Sequence, residues 1–189
     1  LDKNLDVSHF RLSIHLSIAL IILSLSFWFF LELSNIKKYS FKIPKKLINL
    51  ILIFLVIQII LGALLAGLNG GLIYNTWPDM NGSFFPNDSI FNDYLSLSSF
   101  SDPSIVQFFH RTTAYILLIF VILLNIYFYM FKLNLIEILI FDLSIFIQIL
   151  LGIVTLLNDV EIKYASLHQI GSIFVLSSFL FIYFKNYKS

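Results

Sequence analysis

Cysteine is absent from the 189 residues. That excludes disulfides, thiolate metal sites and a cysteine nucleophile, and leaves histidine as the one soft nitrogen ligand. Charge is scarce too. Only 12% of residues are Asp, Glu, Lys or Arg, about half the share of a water-soluble domain, against 59% hydrophobic and 17% aromatic residues. The solvent of such a chain is largely lipid. A net charge of +1, with no basic run beyond residues 37–46, leaves no concentrated cationic face for a nucleic acid. The chain begins at Leu1 without Met, and its first ten residues (LDKNLDVSHF) lack the basic and apolar regions of a signal peptide, so it reads as a piece of a longer protein.

What is present is apolar sequence in long runs. Five stretches reach the roughly 20 residues that a helix needs to cross a hydrocarbon core: 10–31, 48–68, 105–131, 136–157 and 164–184. A basic linker with Pro44 joins the first two, and a long loop, 69–104, joins the second and third. Lys37, Lys38, Lys42, Lys45, Lys46, Lys132, Lys185 and Lys188 fall on one side of the membrane. Lys3, Arg11, Arg111 and Lys163 fall on the other, together with Asp2, Asp6, Asp79, Asp88, Asp93, Asp102, Asp159 and Glu161. Because cytoplasmic or matrix-side loops retain positive charge, the N-terminus and the 69–104 loop are expected outside and the C-terminus inside.

The chain also repeats itself. A shift of 153 lays Ser13-Ile14-His15 on Ser166-Leu167-His168, and a shift of 90 lays Gln58-Ile59-Ile60-Leu61-Gly62 on Gln148-Ile149-Leu150-Leu151-Gly152. The fold expected is all-α and membrane-spanning. Residues 48–189 form a complete four-helix unit, and residues 1–35 the last helix of a preceding unit, within an intact protein of eight helices in two halves.

Three of the four histidines share one depth. His15, His110 and His168 each lie four or five residues into their spans from the outer side, roughly 6–8 Å at the helical rise. Ionisable side chains inside a membrane are costly and usually face a bundle interior or a cofactor. Three readings stand: interfacial histidines bonded to loops or headgroups, a non-haem metal site, or haem ligation. The second has no carboxylate or thiolate at that depth to complete it, and the shared depth favours the third, in which histidines from two helices hold one iron from opposite faces. Arg111 follows His110, and Arg11 precedes His15 by one turn. Both are placed to reach haem propionates, although either could simply snorkel to the surface. His9 reads as a solvated residue. Gln58, Gln148 and the small residues Gly62, Ala63, Ala66 and Gly67 read as packing devices. Asp142 is expected to reach the interface or pair with Lys132, as a weak proton-pathway candidate. The 69–104 loop, with Tyr74, Trp77, Phe84 and Phe85, reads as an interfacial segment serving as a lid or an aromatic anchor.

These residues resemble the haem A synthase family. The resemblance is carried by residues 7–16 (VSHFRLSIHL), 62–68 (GALLAGL), 71–82 (GLIYNTWPDMNG), 106–111 (VQFFHR), 151–157 (LGIVTLL) and 167–169 (LHQ), in the family's order and spacing. It implies oxidation of the C8 methyl of haem O, through an alcohol, to the formyl group of haem A for cytochrome oxidase. It further implies a haem b held by His110 and His168 in the C-terminal half, and a haem O site in the N-terminal half to which His15 belongs. The partner of His15 and a Glu-x-x-His-Arg motif thought to act in catalysis would precede Leu1. Gln107 stands at the matching position of this half and cannot act as an acid or base. On that reading residues 1–189 alone bind haem b and lack catalysis. Some members carry cysteine pairs in outer loops; this sequence has none.

The membrane expected is a bacterial plasma membrane or a mitochondrial inner membrane. Haem O synthase is a candidate partner, a homo-oligomer is open, and the electron donor is unnamed by the residues. A membrane cytochrome b that only passes electrons from a quinol is the alternative, separated by whether a Glu-x-x-His-Arg segment lies upstream. A purely structural assembly protein would bind no haem.

Overall fold

The computed structural model describes residues 8–89, 94–133 and 136–187; of the residues read above, Asp2, Lys3, Asp6, Val7, Asp93 and Lys188 lie outside them. Five α-helices carry the chain: α1 (His9–Leu33), α2 (Lys45–Gly67), α3 (Pro103–Met130), α4 (Ile136–Leu157) and α5 (Ile162–Tyr187). All five are long and apolar enough to cross a membrane, so this is an all-α integral membrane protein, as the five apolar runs predict. Within the described residues there is no strand, only an isolated bridge between Met80 and Ser83.

The helix ends follow local chemistry. Asp102 caps α3, its carboxylate accepting from the Ser104 and Ile105 amides at 2.9 and 3.0 Å, and Pro103 takes the first helical position, where a missing N–H costs nothing. Beyond α1 the chain turns through Asn35 in the left-handed region, and the α4–α5 turn uses Asp159 and Val160 in the same way. Pro44 sits immediately ahead of α2.

The lysine-rich ends of α2 to α5 close on one apolar core. Ile48, Ile51 and Leu55 of α2, Leu117, Val121, Leu124 and Phe128 of α3, Ile138, Phe141 and Ile145 of α4, and Val175, Phe179 and Ile182 of α5 are all buried in it, with Tyr39 and Ile43 of the α1–α2 linker. The linker is tied to α5. The Ile43 amide donates to Asn186 Oδ1 (2.7 Å), Asn186 Nδ2 returns a bond to the Ile43 carbonyl (3.2 Å), and Lys38 Nζ donates to the Phe184 carbonyl (3.0 Å). Lys185 pairs with Glu137. α1 lies against α5 through Leu20, Leu176 and Leu180, with Leu52 and Ile59 of α2 packed on the same cluster. Asp142 accepts from Asn125 Nδ2 at 2.9 Å, so its partner is an amide on α3 rather than Lys132.

Toward the opposite end α4 and α5 loosen, while α2 and α3 keep buried residues there, among them Leu61, Leu64, Ile105 and Gln107. No residue of α4 after Ile145, and none of α5 before Val175, is fully buried. It is there that the histidines stand.

Candidate functional site

His110 follows the first residue of α3 by seven positions and His168 that of α5 by six, so each lies about 9–11 Å along its helix. Each is framed by the preceding helix in the same manner. A methyl group built on Gly62 of α2 would stand 3.1 Å from His110 Cε1, and one built on Gly152 of α4 would stand 2.9 Å from His168 Cε1. Glycine is needed at both positions because the imidazole takes the space of a side chain. The structure thus gives Gly62 and Gly152 a second purpose beyond helix packing, while Gly67 keeps the expected one, its Cα facing the His9 backbone.

One turn earlier on each framing helix lies a glutamine. The Gln58 side-chain amide is hydrogen-bonded to His110 Nε2 at 3.2 Å. His168 Nδ1 donates to the Gln148 carbonyl at 3.1 Å, and Gln148 Nε2 donates back to the His168 carbonyl at 3.0 Å. Gln58 and Gln148, read as packing devices, both bond across a helix interface at a histidine. No signal in the sequence identifies their partners, although the matched Gln-x-x-x-Gly spacing marks the two positions as equivalent.

These residues fit a haem whose iron His110 and His168 would hold. Each imidazole keeps one ring nitrogen without a protein partner among the described residues, Nδ1 on His110 and Nε2 on His168. His110 Nδ1, Gln58 Oε1 and Gln148 Oε1 are buried and unpaired, a costly arrangement unless a bound group satisfies part of it. His168 donates its other nitrogen to a carbonyl, the usual support of a metal-ligating histidine. Among the described residues no three His, Asp or Glu gather as a non-haem metal set would need.

The 69–104 loop is fastened above this end of α3. Arg111 donates from Nη2 to the Tyr74 carbonyl and from Nη1 to the Asp79 carbonyl, both at 2.8 Å, and buried Gln107 Nε2 donates to the Tyr74 carbonyl at 3.0 Å. Asn75 Nδ2 donates to the Leu156 carbonyl at the end of α4 (3.0 Å). Phe84 and Phe85 pack on Phe108, at 5.9 and 5.2 Å between ring centroids, two residues from His110. Asp88 accepts from Tyr74 Oη (2.8 Å) and Ser104 Oγ (2.7 Å). Burial alone would push the Asp88 carboxyl up, but those two bonds outweigh it and hold it below the usual carboxylate range. Burial, then the bond to Asp88, pushes the Tyr74 phenol up.

His15 and Arg11 are both exposed on α1. His9, half-buried, has its Nε2 3.3 Å from Ser101 Oγ.

The family profile described as cytochrome oxidase assembly protein, COX15-CtaA, matches residues 1–180. A protein named "Heme A synthase" from Pelagibacter ubique (strain HTCC1062) is 56% identical over 186 residues, covering 98% of this chain and 55% of that protein. Proteins of the same name from Wolbachia pipientis wMel and Rickettsia africae (strain ESF-5) are 41% and 37% identical, covering 93% and 94% of this chain and 50% and 55% of theirs. The chain thus spans about half the length of the curated relatives it matches. No solved structure matches it. With nearly every residue inside the family profile and this identity to proteins of that name, the chain belongs to the haem A synthase (COX15-CtaA) family.

Proposed function

We propose that this chain is the haem b-binding part of a haem A synthase, which oxidises the C8 methyl of haem O through an alcohol to the formyl group of haem A for cytochrome oxidase. The observation that carries the reading is the matched framing of His110 and His168, each seated on a glycine of the preceding helix with one ring nitrogen unpartnered. A haem b held there supplies one-electron transfer. His110 and His168 bind its iron from two helices, and the glycines keep their rings at a fixed distance from the α2 and α4 backbones. Arg111, through the Tyr74 and Asp79 carbonyls, keeps the 69–104 loop over the site, with further guanidinium donors for propionates. Phe84 and Phe85 pack on Phe108 at that end.

His15 belongs to the haem O site, and Arg11, one turn earlier on the same exposed face, binds its propionates. That face is covered by the remainder of the intact protein, so residues 1–35 and 48–189 serve two different haem sites. The N-terminal end of α1 faces outside, haem O synthase supplies the substrate, and a separate donor provides electrons.

The test uses the intact protein supplied with haem O, with extracted haems separated by chromatography. His15→Ala is expected to abolish haem A formation and leave the haem b content unchanged. Haem A formation at the wild-type rate in that variant would overturn the assignment.

A further inference from the structure

The glutamines at the histidine pair ask for an explanation that packing does not give. An amide buried at membrane depth costs free energy that leucine or methionine of similar volume would not. Yet Gln58 and Gln148 occupy equivalent places on α2 and α4, one turn before Gly62 and Gly152, and each reaches across to the histidine of the following helix. The ring contacts repeat as well. From the position of a Gly62 methyl, His110 Cε1, Nδ1 and Nε2 lie at 3.1, 3.6 and 4.0 Å; from Gly152, the same atoms of His168 lie at 2.9, 3.4 and 3.6 Å. Both imidazoles therefore present the same edge to the framing backbone, and the glutamine is the adjacent polar group in each case.

The two contacts differ in kind. Gln58 touches the imidazole of His110 itself. Gln148 closes a reciprocal pair, its amide on the His168 carbonyl and the His168 ring on its own carbonyl. Each leaves its Oε1 buried and unpaired, and the Gln148 Oε1 lies against Gly171, 2.2 Å from where a methyl there would stand.

We infer that Gln58 and Gln148 are positioning residues for the two histidines: Gln58 sets the ring plane of His110, and Gln148 locks the α5 backbone that carries His168. This rests on His110 and His168 being the haem ligands. The glutamines do not touch the iron. They fix ring orientation, and hence the ligand field and reduction potential that the two imidazoles impose.

The experiment uses the intact, haem-loaded protein with four variants. Gln58→Met and Gln148→Met keep side-chain length and lose the amide; His110→Ala and His168→Ala test the underlying ligation. Haem content, the electron paramagnetic resonance g-values of the ferric low-spin haem and its midpoint potential are read for each. The glutamine variants are expected to keep stoichiometric low-spin haem with shifted g-values and potential. Wild-type g-values and potential in both overturn the inference. Should the methionine variants fail to accumulate, Gln58→Asn and Gln148→Asn, which withdraw the amide by one methylene, carry the same expectation and the same refutation. Loss of the low-spin signal in the histidine variants beside unchanged glutamine variants defeats the positioning role alone; retention of that signal in both histidine variants defeats the ligation itself.

Discussion

Gly62 on α2 stands directly against His110 on α3, close enough that a single methyl group would lie 3.1 Å from the ring. Its counterpart Gly152 is tighter still against His168, at 2.9 Å. Overpacking a close-fitted contact costs about 1–3 kcal/mol. Gly62→Ala and Gly152→Ala are expected to lower the thermal midpoint in detergent, Gly152→Ala by more. Wild-type melting of both would show that the imidazoles are not seated as described.

Arg111 spans two backbone carbonyls of the loop with one planar fork. Lysine carries the charge but cannot present two donors in that geometry. Arg111→Lys is expected to raise amide exchange in residues 74–80 nearly as much as Arg111→Ala. Protection at the wild-type level in the lysine variant would mean that charge alone holds the loop.

Asp88 and Tyr74 give the loop a pH window. The Asp88 carboxyl is held below its ordinary value, so its contribution is full above about pH 4, where the unfolded group is ionised, and is lost as pH falls through the lower folded value. Tyr74 runs the other way: its raised phenol contributes below about pH 10 and ceases to as pH climbs through the folded value. Protection factors for residues 74–88 should be flat near neutrality and fall in acid. Asp88→Asn should remove the acid limb, and an acid limb persisting in that variant would assign it to another group.

Asn186 is the buried amide that joins the α1–α2 linker to α5 through both the N–H and the carbonyl of Ile43. Asn186→Leu leaves those backbone groups without partners, at about 1–3 kcal/mol each. A marked loss of thermal stability with unchanged haem spectrum is expected. Spectral change without loss of stability would contradict a purely structural role.

The five spans were legible because lipid demands long apolar runs whatever packs inside them, and observed ends differ from the expected ones by three residues at most. The positions of His15, His110 and His168 along their helices were equally legible, since they are counted from the helix ends. Which face a residue takes is not. The partners of Gln58 and Gln148 were not legible because they lie on the next helix, and Asp142 was expected at the interface or on Lys132 because charge is visible in sequence while the azimuth of Asn125 is not. Arg111 reads as a propionate donor from its position beside His110, but the acceptors it reaches in the structure are main-chain carbonyls, which every residue carries and no sequence pattern marks.

The central claim is that His110 and His168 hold one haem between α3 and α5. Near-infrared magnetic circular dichroism of the purified haem-loaded protein tests it most directly, because bis-imidazole ferric haem has its own charge-transfer band. That band is expected in the wild type and absent from both His110→Ala and His168→Ala, whereas an unchanged bis-imidazole band in both variants would contradict the assignment.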